Sequence, residues 1–294
     1  MAIHAGQKYR RQYDHLKFIL RERAPYLLDE PMKGLEDFVA GKAGRSHFLV
    51  GQDFHYLSYG HLCHGMYSLL RNDLEAGLEA NRLAAWYCYW YAQLEVQFVR
   101  VQRVSFYLDL PLELLHMLVA GYDKPVSTLL TILDTDQPQR LEYLGGYGGH
   151  TPYSARLLQW FSGYDALHGR HDGVLLPWYQ TLLDHALEPD TERLLPAVTA
   201  ACDWHIRQTR NTTDHTTYCF DSPPYMLYPV EILAWLRLRQ RHGLEDGDAF
   251  CAAHPLMQLP SGRLYDYAPF PEGPPLARAA LHKMRERYPG LPLA

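Results

Sequence analysis

Apolar residues return at steps of three and four along most of this chain, and that spacing restricts it to helices packed on helices. Between Asn81 and Arg100, Leu83, Tyr87, Trp90, Leu94 and Phe98 fall on one stripe of a 3.6-residue helix. Leu175, Trp178, Leu182 and Ala186 repeat the spacing, as do Leu194, Ala197, Val198, Ala201, Cys202 and His205. Pro196 falls near the start of the last stretch, which predicts a short turn followed by the main helix. Another helix is predicted from Tyr56 to Leu70, weakened by Gly60 and Gly65. Thr151-Pro152 has the form of an N-cap and first-turn proline, opening a helix through Leu157, Phe161 and Tyr164. Pro229 opens one through Ile232, Leu233 and Leu236, which Gly243 closes behind Arg239, Arg241 and His242. Thr216 to Phe220 is a lone β-like run, too isolated to found a sheet.

The fold class that follows is all-α: an antiparallel bundle of paired helices in one domain over residues 1–294. Two stretches break the periodicity. Residues 141–152 hold Gly145, Gly146, Gly148 and Gly149, and a sub-boundary is placed near 138–150. Pro260 to Pro275 is rich in proline and aromatics, and this C-terminal segment (260–276) is predicted to run extended over the helices. A final helix around Ala277 to Arg287 follows it.

Composition removes whole classes of function. A chain that is 47% hydrophobic and 21% charged is not disordered, and a formal net charge of −5 gives no general attraction to phosphate backbones. No nucleic-acid partner is expected. The first residues lack the apolar run of a signal peptide, and no stretch is long and apolar enough to span a bilayer, so a cytoplasmic protein without a membrane partner is expected. Cys63, Cys88, Cys202, Cys219 and Cys251 are odd in number and form no CxxC pair. Buried free thiols are the expectation, with neither a disulfide framework nor a zinc knuckle.

Motifs that could carry chemistry each have a structural counterpart. Gly145 to Gly149 with His150 suggests a phosphate-cradling loop, but neither nucleotide-binding glycine pattern is present and a connector is preferred. His61 and His64, three apart, could share a helix face toward a metal, yet no third ligand is nearby. His171-Asp172, with Asp184-His185 as a second pair, is the best enzyme candidate, although His-Asp at a glycine-bounded turn is also an ordinary cap. Asp134-Thr135-Asp136 falls short of an aspartate-rich magnesium motif because Pro138 places it in a turn. Trp86, Tyr87, Tyr89, Trp90 and Tyr91 could line a ligand pocket, but packing between helices is the commoner use of such rings. Lys8, Arg10, Arg11, Lys17, Arg21 and Arg23 make a basic run, and Asp184, Glu188, Asp190 and Glu192 make an acidic edge. That edge would suit a basic protein partner. No catalytic residue, metal or cofactor is assigned.

The C-terminal third adds a resemblance. Asp203-Trp204-His205 ends a clean helix, Tyr225-Met226-Leu227-Tyr228-Pro229-Val230-Glu231-Ile232-Leu233-Ala234 leads into Trp235 to Leu244, and His254-Pro255-Leu256 and Leu259-Pro260 follow. This order resembles the all-α immunity proteins of bacterial polymorphic toxin and type VI secretion systems. Immunity family forty-nine is the group it is most similar to, with the immunity proteins of pore-less DNases a second relative. The likeness covers roughly residues 170–262 and does not extend to the aromatic run at 86–91 or the tail beyond Pro260. It implies a protein that binds a cognate toxin in the producing cell and neutralises it by occlusion. The alternatives are a metal-dependent hydrolase using His171, Asp172, Asp184 and His185, and a helical small-ligand binder lined by Trp86, Tyr87 and Trp90.

Overall fold

The computed structural model describes residues 8–102, 110–136, 150–163, 175–210, 218–244 and 247–292, and all regular structure among them is helical. Helix α1 (Arg10–Ala24) runs through one wide turn, Pro25–Asp29, into α2 (Glu30–Val39). Pro25 and Pro31 bring no N–H to this junction, and the N–H of Glu30 reaches back five residues to the Pro25 carbonyl. Ser46 caps α3 (His47–Leu70) by accepting from the Leu49 N–H at 3.3 Å. A three-residue turn then folds α4 (Leu74–Gln102) back against α3. After them come α5 (Leu110–Val119), α6 (Asp123–Asp136), α7 (Thr151–Ser162) and α8 (Pro177–Asp184). The chain continues through α9 (Leu195–Arg207), α10 (Val230–Arg241), α11 (Gly247–Ala253) and α12 (Pro275–Arg287). Among the described residues, no helix is long and apolar enough to cross a membrane.

Several expected boundaries move by a residue or more. The turn foreseen at Pro196 is a 3-10 turn at Thr191–Arg193, and Pro196 itself sits inside the first turn of α9, where a missing N–H is harmless. His150, rather than Thr151, occupies the N-cap of α7, and Pro229 is the N-cap of α10. Asp134 and Asp136 lie in the last turn of α6, so the helix runs further than Pro138 suggested. Gly243 closes α10 as expected: its φ is +82°, its N–H bonds the Gln240 carbonyl, and the Leu244 N–H bonds that of Arg239. Residues 145–149 and 168–172 fall outside the described residues, as do Thr216 and Thr217 of the β-like run, whose described remainder, Tyr218 to Phe220, enters a turn and forms no strand.

Gly60 and Gly65 do not weaken α3, which is unbroken over 24 residues. Their cost in helix propensity is offset by proximity. A Cβ on Gly65 would lie 1.9 Å from Asn81 Oδ1 and 3.1 Å from the Gly77 carbonyl, so this glycine lets α3 and α4 touch along their backbones. Asn81 cannot easily retreat, being fully buried and bonded through Nδ2 to the Tyr267 hydroxyl at 3.2 Å. Gly65→Ala is therefore expected to lower stability by about 1–3 kcal/mol despite the better helix former. A urea titration reads this directly, and an unchanged midpoint would contradict the close approach.

Two apolar clusters fill the interior. The larger gathers residues of α1 and of α3 to α11, and the smaller is built on Phe54, Trp86, Tyr87, Trp90 and Phe98 against Ala277, Leu281 and Met284 of α12. Trp86, Tyr87 and Trp90 are at most 4% exposed, so these rings are core and line no cleft. The proline-rich segment does run extended, strapped to the helices from outside. Its carbonyls at Tyr265, Ala268 and Pro269 accept from Arg237, Tyr122 and Arg82. None of the five cysteines forms a disulfide, and Cys63, Cys88 and Cys202 are buried.

Candidate functional site: a charged buried helix and the acidic turn it holds

Helix α10 is buried from Val230 through Arg239, yet three of those residues are charged. A charge removed from water must be matched by partners, and each of the three recruits a different part of the chain. Glu231 has no exposed surface and meets His205 of α9, with Nδ1 2.9 Å from Glu231 Oε1. The other ring nitrogen, Nε2, lies 2.9 Å from the Tyr225 carbonyl and must carry a proton, since a carbonyl only accepts. One further proton is then shared between imidazole and carboxyl. Tyr179 donates to the same Oε1 at 3.3 Å. Burial first, and the Glu231 charge second, push the Tyr153 and Tyr179 hydroxyls well above their ordinary pKa. His150, at the N-cap position of α7, is held neutral by burial, its pKa lowered to about 4. Phe220 lies flat against His205 at 3.9 Å between ring centres.

Asp203 and His254 form a second link. The Leu256 N–H donates to His254 Nδ1 at 3.1 Å, which leaves Nε2–H to donate to Asp203 Oδ1 at 3.2 Å. Residues 203–205, 225–231 and 254–256, which carried the sequence resemblance, thus form one internal lattice.

Arg237 and Arg239 point their guanidinium groups at backbone carbonyls, while Arg241 at the helix end meets Asp123. Arg239, with no exposed surface, donates to the carbonyls of Ala186 at 2.6 Å and Glu188 at 2.8 Å. Its guanidinium lies 4.8 Å from the Trp235 ring centre and 5.5 Å from that of Phe250, a cation–π arrangement shielded from water. Those two carbonyls belong to the turn that bears the acidic edge. A side chain in the core therefore sets the shape of a loop on the surface.

The four acidic residues divide their work. Asp184 is exposed and accepts from Gln180 Nε2 at 2.6 Å. Glu188 is half-buried; one oxygen accepts from the Asp190 N–H at 3.1 Å and the other pairs with Arg193 at 2.7 Å, holding its pKa low. Asp190 caps the 3-10 turn through the Glu192 N–H at 3.2 Å, and Glu192 itself is exposed. Leu187 stands at the centre of the turn with 52% of its surface open, beside a groove of about 630 Å3 lined by Trp160, Leu183 and Asp184.

The remaining candidates do not converge. His61 stacks on Tyr87 at 5.5 Å while His64 faces solvent. His171 and Asp172 lie outside the described residues, and Asp184 and His185 are both exposed. Among the described residues, no three His, Cys, Asp or Glu side chains are grouped as a metal site would require. Sequence reading missed the His205–Glu231 pair and the Arg239 clamp. The available signal was charge inside an apolar run: Glu231, Arg237 and Arg239 interrupt a helix otherwise fit for a core. No family model, no curated protein and no solved structure matches the chain.

Proposed function

We propose that this chain is an immunity protein, which binds a cognate bacterial toxin in the cytoplasm of the producing cell and neutralises it by occlusion, without a cofactor. The observation that carries this reading is the Arg239 clamp on the acidic turn. A loop whose backbone is fixed before binding loses little entropy on association, so more of its contact energy appears as affinity. The exposed Asp184, Asp190 and Glu192 flank the exposed Leu187 along the chain, a sequence suited to a basic surface with an apolar centre. A stable complex would bury about 1,600 Å2 in total, more than the turn alone offers, so flanking helices join the interface. The resemblance of residues 170–262 to immunity proteins points the same way.

Co-expression with the toxin encoded in the neighbouring reading frame is expected to restore growth, and the two proteins to co-purify. Charge reversal at the exposed positions, Asp184→Lys with Glu192→Lys, is expected to slow association about tenfold or more at low salt, and much less at high salt. Toxin that kills unimpeded in the presence of the soluble chain would overturn the proposal.

A further inference from the structure

The groove beside the acidic turn has an electrical direction. Helices α7 and α8 run side by side in the same sense: Tyr153 stacks on Tyr179 at 4.1 Å near their starts, and Gly163 and Leu187, just past their ends, line the same groove. The C-terminal end of a helix carries about half a negative charge, and two such ends meet here. Asp184, exposed in the last turn of α8, adds a carboxylate, which carries its charge at neutral pH when open to water. Arg239 engages the Ala186 carbonyl from the buried side, so the charge open to solvent at this end is that of Asp184. Arg156, also exposed, lines the groove two turns before Gly163, about 10 Å back along α7. A cation entering the groove is therefore driven toward Asp184 and away from Arg156.

The walls between these ends are apolar. Trp160, Leu183 and Leu187 form them, in a groove of about 630 Å3 that has room for a side chain and the backbone presenting it. His242 stacks on the Trp160 indole at 5.4 Å between ring centres, 9° from parallel, which fixes the plane of that ring. The matching side chain has an apolar stem and a flat, positively charged head. Arginine combines them: its methylenes cover leucine surface, while its guanidinium lies on an indole and donates in a fork to a carboxylate. Lysine has no plane to stack, and an apolar anchor would leave Asp184 unmatched.

We infer, on the strength of the immunity reading, that this groove seats one arginine side chain of the bound toxin, its stem against Leu183 and Leu187 and its guanidinium between Trp160 and Asp184.

The test is the dissociation rate of the complex between the full chain and the toxin encoded in the neighbouring reading frame. Asp184→Asn removes the charge from an exposed position and is expected to leave the melting temperature unchanged. It is expected to speed dissociation about tenfold, at 0.15 M and at 0.5 M salt alike, because ions screen a seated pair poorly. Glu192→Gln, an exposed carboxylate outside the groove, is expected to leave dissociation within about twofold of the parent. Among single arginine-to-glutamine variants of the toxin, one is expected to reproduce the tenfold effect and to add nothing further in combination with Asp184→Asn. Dissociation unchanged in Asp184→Asn, equal effects of Asp184→Asn and Glu192→Gln, or no toxin arginine coupled to Asp184 would each overturn the inference and leave toxin binding standing. A toxin that never binds the chain removes both.

Discussion

Replacing Glu231 with alanine is expected to cost the fold about 3–5 kcal/mol, a fall in melting temperature of roughly 10 °C for a chain of this size. The loss has two sources. The His205 imidazole, fully buried, keeps its bond to the Tyr225 carbonyl but faces an empty space where its carboxylate stood. The Tyr179 hydroxyl loses its acceptor in the same place. Each orphaned group costs about 1–3 kcal/mol, and the void adds to it. Glu231→Gln keeps the shape and one acceptor and is expected to cost less than half as much. Removing both ends, with His205→Leu and Glu231→Leu, is expected to recover part of the loss, because imidazole and carboxylate go together while the Tyr179 hydroxyl and the Tyr225 carbonyl still each lose a partner. Denaturant midpoints for the three variants separate these contributions; a loss below about 1 kcal/mol in Glu231→Ala would show that the pair carries little.

Acid is expected to unfold this protein early. His116 and His150 are at most 5% exposed, and burial holds both pKa values at about 4. An unfolded histidine takes its proton near 6.5, so between pH 6.5 and 4 the unfolded chain binds more protons than the folded one. Their stabilisation is complete above pH 6.5 and is lost as pH falls through that window, by about 3 kcal/mol for each ring. His55 and His61, half-buried, act in the same direction with smaller shares. Asp53 runs the other way. Burial outweighs its Arg45 partner and raises its pKa to about 6, so its contribution grows as pH falls from 6 to 4 and offsets about one histidine. The net expectation is a loss of at least about 3 kcal/mol between pH 7 and pH 4.5, measured as a falling urea midpoint. A flat profile over that range would mean that these imidazoles reach water in the folded state.

Local signals were readable and distant partnerships were not. The stripe from Leu194 to His205 named the buried face of α9 and counted His205 within it. Nothing in a spacing of 26 residues indicated that Glu231 would bond that ring. Arg239 has the position of a cation at a helix end, where it would stabilise the terminal carbonyls. It turns inward instead because α10 is surrounded by other helices and offers that side chain no water. Gly65 carries a propensity penalty that can be computed from its own segment, whereas its benefit depends on Asn81, which only the folded chain brings near. The acidic edge was legible as charge, but the pairing of Glu188 with Arg193 and the capping by Asp190 belong to the turn's backbone path. The cleft of about 220 Å3 lined by Leu27, Tyr59, Cys88, Glu113 and Tyr225 draws on five separate segments and has no linear trace at all.

The strap from Tyr265 to Pro269 also bears on how the molecule is made. Arg82 and Tyr122 leave the ribosome long before the carbonyls they donate to, and Gly273 comes to rest against Trp86, translated almost two hundred residues earlier. During synthesis those groups stay wet and the indole stays uncovered until residues 265–273 emerge. Until that strap emerges the nascent chain is an unsealed bundle, the state in which chaperones find their clients and aggregation competes with folding.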